Sequence, residues 1–292
     1  MSQAAHAVVG TVTDNPAPSV CDPLPLNAFS AAYHRDGFVS GVPVLTPDEV
    51  CSHRRSLEAA EDRIGAMHYR AKAHTILCAA WQAASHPRVL DMVSALIGPD
   101  VLLYNVTYII KEAGTPTFIS WHQDLTYWGL SHDDQVTMWL ALSPADESSG
   151  CMRMVPGSHL GGRREHQVES DSSNALYQGQ TVAGVSEADA VMCPLRPGEA
   201  SFHHGWTLHA STPNRGSERR IGLNVQYLAP HVRQTKHDRD TAMLVRGEDR
   251  YGYYGADRAA RVDLHPDDLA HQAYLEDLQR RTAGDNTASV AV

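Results

Sequence analysis

From Val101 to Leu228 the chain is a succession of short runs rich in β-branched and aromatic residues, closed by turn-forming clusters and uninterrupted by any helical period. The runs fall at Val101–Lys111, Gln135–Ser143, Cys151–Val155, Ala190–Leu195, Glu199–His203, Thr207–Ser211 and Ile221–Leu228, and each reads as a strand. Turn chemistry separates them at Gly114-Thr-Pro, Pro156-Gly-Ser, Arg196-Pro-Gly and Thr212-Pro-Asn. Parallel strands need crossover helices, and none is available here. The pattern therefore predicts a mainly β fold, a sandwich or jelly-roll barrel.

Helices flank this region. Thr46-Pro47-Asp48-Glu49 has the elements of a capping box with proline at the first helical position, opening a helix that runs to about Gly65. A second helical stretch spans His74 to Leu96 and ends at Gly98, and a third, from Leu264 to Arg281, is expected to pack on the outside. The 292 residues are enough for one substantial core, so one domain is expected over 26–281. It divides into a helical flank at 26–98, a β core at 101–229, and a C-terminal lid and helix at 230–281. Residues 1–25 and 282–292 lack periodicity and are expected to be disordered or mobile.

The net charge of −10, with basic residues scattered, argues against a nucleic-acid groove or an anionic membrane surface. A small-molecule substrate is the expected partner. The N-terminus has no basic region followed by an apolar one, and no long uncharged apolar run occurs, so the chain reads as soluble and cytoplasmic. Five widely spaced cysteines without a CxxC pair indicate neither a disulfide framework nor a structural zinc site.

Seventeen histidines are a high count, and their placement carries the chemistry. Ser120-Trp121-His122-Gln123-Asp124 sets an imidazole and a carboxylate two residues apart, on one face at a strand end. His209, on a later strand that a barrel can bring alongside, is the best third ligand. Two imidazoles and a carboxylate on one side of a metal are the arrangement of non-haem Fe(II) oxygenases, and they leave open positions for a chelating co-substrate and O2. Arg220, eleven residues after His209, could grip the far carboxylate of a dicarboxylate bidentately. Arg219 competes for that role.

At these residues the chain resembles the phytanoyl-CoA dioxygenase family of Fe(II)- and 2-oxoglutarate-dependent oxygenases. The matching elements are Trp121-His122-Gln-Asp124, Val136-Thr-Met-Trp139-Leu-Ala-Leu142, Gly150-Cys-Met-Arg-Met-Val-Pro-Gly-Ser-His159, and His209-Ala-Ser211-Thr-Pro-Asn214 followed by Arg220. They lie in order between about Gly37 and Leu228. The resemblance implies a double-stranded β-helix with flanking helices, iron held by His122, Asp124 and His209, and the distal carboxylate of 2-oxoglutarate held by Arg220 and Ser211. It also implies co-substrate contacts from Asn105, where glutamine is more usual, and from Trp139. Within the family, Trp121 to Leu130, Gly-Cys-Met-Arg and Arg219-Arg-Ile-Gly are most similar to bacterial members such as the 2-aminoethylphosphonate hydroxylase. That narrows style rather than substrate.

Halogenating relatives replace the carboxylate with Ala or Gly, so Asp124 points to hydroxylation, with desaturation or cyclisation open from the same chemistry. Tyr127 and Trp128, on the expected loop over the barrel mouth, and Arg153 are candidate substrate contacts, each with an ordinary structural alternative. His203 and His204 are either second-layer groups or packing residues, and His159 is expected to be structural. Tyr251-Gly-Tyr-Tyr254 reads as a lid or a dimer contact. A cupin-like metal sensor without turnover and a metal-dependent hydrolase using His203 or His204 as base are the rival readings.

Overall fold

In the computed structural model the described residues are 24–284, apart from 169–170 and 177–178. The N-terminal stretch expected to be disordered lies outside the described residues up to position 23, as does the expected mobile tail from 285 on. The elements run α1 (Leu26–Asp36), β1 (Phe38–Pro43), α2 (Pro47–Ile64), α3 (Cys78–Ala84), α4 (Pro87–Ile97), β2 (Val101–Lys111), β3 (Ile119–His122), α5 (Leu125–Trp128) and β4 (Gln135–Ala141). There follow β5 (Met152–Met154), β6 (Gln167–Val168), β7 (Gln180–Thr181), β8 (Val191–Cys193), β9 (Glu199–His204), β10 (His209–Ser211), β11 (Arg220–Leu228), β12 (Thr241–Arg246), β13 (Gly255–Ala256) and α6 (Pro266–Gly284).

A seven-stranded sheet in the order β1-β9-β4-β11-β2-β12-β13 faces a four-stranded sheet, β3-β10-β5-β8. All pairings are antiparallel except β12 with β13. This is the expected jelly roll. In the large sheet, period-2 alternation sorts the strands into two faces. Leu103, Val106, Tyr108, Ile110, Val136, Met138, Leu140, Phe202, Leu223 and Val225 pack into one buried cluster with Phe29, Leu57, Ala80, Val89 and Val93 of α1 to α4. The other face of the same strands carries Asn105, Thr137, Trp139, His203, Arg220 and Gln226, all buried, and it turns toward the small sheet. The long β2 is buried throughout, and its register against β11 slips at Tyr104, which has no partner between Leu103↔Tyr227 and Asn105↔Gln226. That bulge puts Asn105 rather than Val106 on the inner face.

The capping box at Thr46 forms as expected, with Glu49 reaching back to Thr46. The single helix expected from His74 to Leu96 does not form. Pro87 lacks the amide an interior helical residue must donate, so the stretch divides into a 3-10 turn at Ala73–Thr75, α3, and α4 with Pro87 in its first turn. β1 and β12 were not anticipated. β1 joins α1 through Gly37, whose φ of +83° and lack of a side chain admit Thr207 Oγ1 and His159, a close approach that anchors the lead-in to β10. Among the described residues no helix is long and apolar enough to cross a membrane.

Candidate metal centre

β3 ends on His122 and β10 begins on His209, and the antiparallel register sets the two directly opposite each other, rings 4.0 Å apart. Asp124 follows where β3 gives way to α5. Its Oδ1 lies 3.5 Å from His122 Nε2 and 3.7 Å from His209 Nε2, and one donor atom from each of the three falls within 4.8 Å of the others. The rest of each side chain is held. His122 Nδ1 contacts the Ser120 carbonyl at 2.9 Å, and His209 Nδ1 the Thr207 carbonyl at 2.9 Å, so each Nδ1 carries the proton and each Nε2 presents a lone pair. Asp124 Oδ2 accepts from Thr137 Oγ1 at 2.9 Å and meets His203 Nε2 at 3.2 Å, which leaves Oδ1 for a metal.

The protonation states agree. Burial opposes ionisation of Asp124, but the close approach of His122, His203 and His209 holds its carboxyl well below the usual carboxylate range. Burial and the neighbouring His122 push His209 well below the usual imidazole value, keeping it neutral. A carboxylate and two imidazole Nε2 atoms on one side, with a cavity on the other, suit a divalent metal with exchangeable positions.

That cavity, about 510 Å³, lies between the two sheets and is lined by the triad together with Asn105, Trp139, Ser211 and Arg220. Arg220 is 2% exposed at the far end, and its guanidinium donates to the Gly150 carbonyl while Nε has no partner. It stacks 5.1 Å from the Trp139 ring, and Trp139 in turn lies against Gly222, where a Cβ would fall 2.0 Å from the indole. Burial pushes Arg220 down to about 10, so it stays charged at neutral pH. A buried cation with an unpaired donor requires an anion. Ser211 lines the same cavity.

Lys111, opposite Arg220 in register, is a residue the sequence did not single out. Its Nζ donates to Ser211 Oγ at 2.7 Å and to the Ser211 and Thr212 carbonyls. Ser211, so held by Lys111, lines the cavity. Burial, with Arg220 and Arg153 close by, pushes Lys111 down to about 6. Asn105 lines the cavity with its carbonyl accepting from the Lys72 amide at 2.9 Å and its amide donating to Thr107.

Tyr127 and Trp128 line the cavity beside the triad. Arg153 is not among the lining residues: it lies over the Trp121 ring at 5.2 Å and pairs with Glu187. Arg219 points away, bridging Glu61 and Glu112, so of the adjacent pair Arg220 is the inward guanidinium. β9 ends before Gly205, yet His203 still faces Asp124. His204 turns to the other side, toward Tyr33 and His159, and His159 contacts the His34 carbonyl at 3.2 Å. His203 is engaged by Asp124, and His204 is not among the residues lining the cavity. Tyr251 and Tyr253 are exposed, while the Tyr254 ring packs on Tyr104, none of them on the cavity wall. Thr137, which fixes Asp124, was legible only as a strand residue two before Trp139.

Residues 33–222 match the phytanoyl-CoA dioxygenase family. The chain belongs to that family. Its curated relatives include the probable alpha-ketoglutarate-dependent hypophosphite dioxygenase of Stutzerimonas stutzeri, 28% identical over 145 residues, covering 49% of this chain and 50% of the relative. The 1-deoxypentalenic acid 11-beta-hydroxylase of Streptomyces arenae is 28% identical over 142 residues, covering 44% of this chain and 49% of that protein. The chain thus matches about half the length of these curated relatives. Among solved structures of the family's fold, the non-haem monooxygenase ThoJ superposes with a TM-score of 0.78 at 28% identity, over 89% of this chain and 98% of ThoJ. The match of this phytanoyl-CoA dioxygenase family member to the curated relatives is partial, whereas the fold is shared along nearly the whole of ThoJ.

Proposed function

We propose that this chain is an Fe(II)- and 2-oxoglutarate-dependent dioxygenase that hydroxylates an unactivated C–H of a small polar metabolite or natural-product intermediate. The observation that carries the reading is the pairing of the three aligned donors of His122, Asp124 and His209 with a buried, part-unpaired Arg220 in one cavity. Bound iron, with 2-oxoglutarate and O2, supplies oxidation of the C–H bond together with release of succinate and CO2.

The chain's own residues set the conditions. His122 and His209 are fixed as Nε2 donors by the Ser120 and Thr207 carbonyls. Thr137 and His203 aim the Asp124 carboxylate. Arg220 and the Ser211 hydroxyl, the latter oriented by Lys111, receive the distal carboxylate of 2-oxoglutarate, with Trp139 and Asn105 along its length. Asp124 fills the position that a halide occupies in halogenating members of the family, which favours hydroxylation.

A metal-only sensor on the same barrel has no need of a dicarboxylate clamp, so Arg220 argues against that rival. The experiment is a substrate screen on iron-loaded protein, reading succinate and oxidised product. Succinate formed in step with product, and lost in His122→Ala, supports the proposal. Silence across a broad screen, with iron and 2-oxoglutarate bound, favours the sensor.

A further inference from the structure

Two of the three non-glycine residues with positive φ among the described residues, Tyr69 and Lys72, at +57° each, bracket Arg70 and Ala71. Residues with a side chain rarely adopt that backbone, and it persists only where the surroundings hold it. Here they do. The Tyr69 amide donates to the Tyr108 carbonyl at 2.9 Å and the Lys72 amide to Asn105 Oδ1 at 2.9 Å. The Lys72 ammonium is fully buried, paired with Asp257 Oδ2 at 2.9 Å and donating to the Tyr104 and Thr241 carbonyls. From α6, Gln272 donates to the Ala71 carbonyl at 2.8 Å. His68, Tyr69, Arg70 and Ala71 all line the cavity that holds the triad. The strained segment is therefore a fixed part of the cavity wall, and it carries Arg70.

Arg70 is held by its backbone but little used at its head. Nη1 meets Gln272 Oε1 at 3.3 Å and Glu276 Oε2 only at 3.8 Å, Nε has no partner, and Nη2 makes no hydrogen bond among the described residues. An arginine with a structural task looks different: Arg219 is gripped by Glu61 and Glu112 through three hydrogen bonds of 2.8–3.0 Å. Nor does α6 depend on the Arg70 head, since Gln272 already ties that helix to Ala71.

Glu276 and Arg280 lie one helical turn apart on α6, on one face, and both line the same cavity. Arg280 reaches Asp277 only at 3.9 Å, and that carboxylate is already bound by Arg281. The side chains of Arg70, Glu276 and Arg280 are 26%, 24% and 65% exposed, against 7%, 14% and 8% for His122, Asp124 and His209. These three residues thus form the open end of the cavity. Two guanidinium groups share it with one carboxylate, a local excess of positive charge in a chain whose net charge is −10.

We infer that the mouth of the cavity selects a substrate carrying an oxyanion, a carboxylate or a phosphonate, received by Arg70, with the C–H to be oxidised lying deeper, at the metal centre. A guanidinium with free N–H groups suits either anion, and a wall fixed in advance spares the ordering of a long side chain on binding. Arg280 adds charge at the rim, and Arg220 remains with the co-substrate. This rests on the oxygenase reading above and names the charge class of its substrate.

The test uses zinc-substituted protein saturated with 2-oxoglutarate, which engages Arg220 and does not turn over, and four probes on one scaffold: phenylacetate, benzylphosphonate, benzyl alcohol and benzylammonium. Affinities are read by ligand-observed NMR, and the two anions separate a carboxylate from a phosphonate. The better anion should bind about tenfold more tightly than the alcohol, the scale of a hydrogen bond to a charged group, and the ammonium should bind more weakly still. Arg70→Gln should erase that preference while the charge-transfer band with Fe(II) and 2-oxoglutarate, the control for fold and co-substrate site, persists. Glu276→Gln removes the opposing carboxylate and should strengthen anion binding about twofold to fivefold, which a merely structural Arg70 would not produce. Where Arg70→Gln does not fold, Arg280→Gln, at an exposed position, should weaken the anions alone. Equal affinities for anion and alcohol, a preference for benzylammonium, or no anion binding in protein that holds 2-oxoglutarate would overturn the inference. So would a preference that survives Arg70→Gln, weaker anion binding in Glu276→Gln, or, with Arg70→Gln unfolded, unchanged anion affinity in Arg280→Gln. A missing charge-transfer band in the wild type would instead overturn the oxygenase reading on which it rests.

Discussion

Lys111 makes the affinity for 2-oxoglutarate pH-dependent. In the free protein, burial and the adjacent arginines hold this lysine at about 6, so above neutrality it is mostly uncharged. A dianion seated against Arg220 and Ser211 favours the charged form, and binding therefore takes up a proton. The sign follows: affinity is greatest at and below pH 6, where the lysine is already charged, and falls as pH rises above it. If the bound lysine stays protonated, the apparent dissociation constant scales with one plus the ratio of neutral to charged lysine. That factor is about 2 at pH 6 and about 100 at pH 8, a loss of roughly fifty-fold. Anaerobic titration of 2-oxoglutarate into iron-loaded protein, followed by the visible charge-transfer band at several pH values, measures the slope. Calorimetry in buffers of different ionisation heat counts the proton. Lys111→Met removes the titrating group, so its affinity should be weaker at pH 6 and nearly flat with pH. Parallel slopes in the wild type and Lys111→Met, or affinity rising with pH, would refute the reasoning.

Thr137→Val removes the hydroxyl that holds Asp124 Oδ2 and should weaken iron binding about 10–100-fold, measured by competition with a chelator; unchanged affinity would show that Thr137 does not position the ligand. Gly222→Ala places a methyl against the Trp139 indole, so it should cost about 1–3 kcal/mol of stability and weaken 2-oxoglutarate binding as Trp139 shifts off Arg220. Phe202→Ala empties a fully buried position packed edge-on to Phe29 and should cost about 3–5 kcal/mol in urea unfolding.

Much of the barrel was legible because its strands are short, apolar and bounded by Gly and Pro turns, so β2, β4, β9 and β11 fall close to where the runs placed them. The triad was legible because His122 and Asp124 are local and His209 sits in a strand at the right remove. What escaped depends on contacts distant in sequence. Lys111 looks like an ordinary strand-end charge until antiparallel pairing sets it against Arg220 and Ser211. Thr137 and His203 gain their role only where β4 and β9 pair and both meet Asp124. Where Arg153 points was not legible either, because its partner Glu187 lies 34 residues on in a 3-10 turn. The helix expected from His74 to Leu96 failed for a local reason that was readable: Pro87 breaks the ladder of amide donors.

The most direct test of the central claim is the charge-transfer band of anaerobic protein with Fe(II) and 2-oxoglutarate. The account predicts the band in the wild type and its loss in His122→Ala and His209→Ala. In Arg220→Met it predicts retained iron but 2-oxoglutarate affinity lower by about a hundredfold, the scale for removing one member of a buried charge pair. An unchanged band in either histidine variant, or undiminished affinity in Arg220→Met, would contradict it.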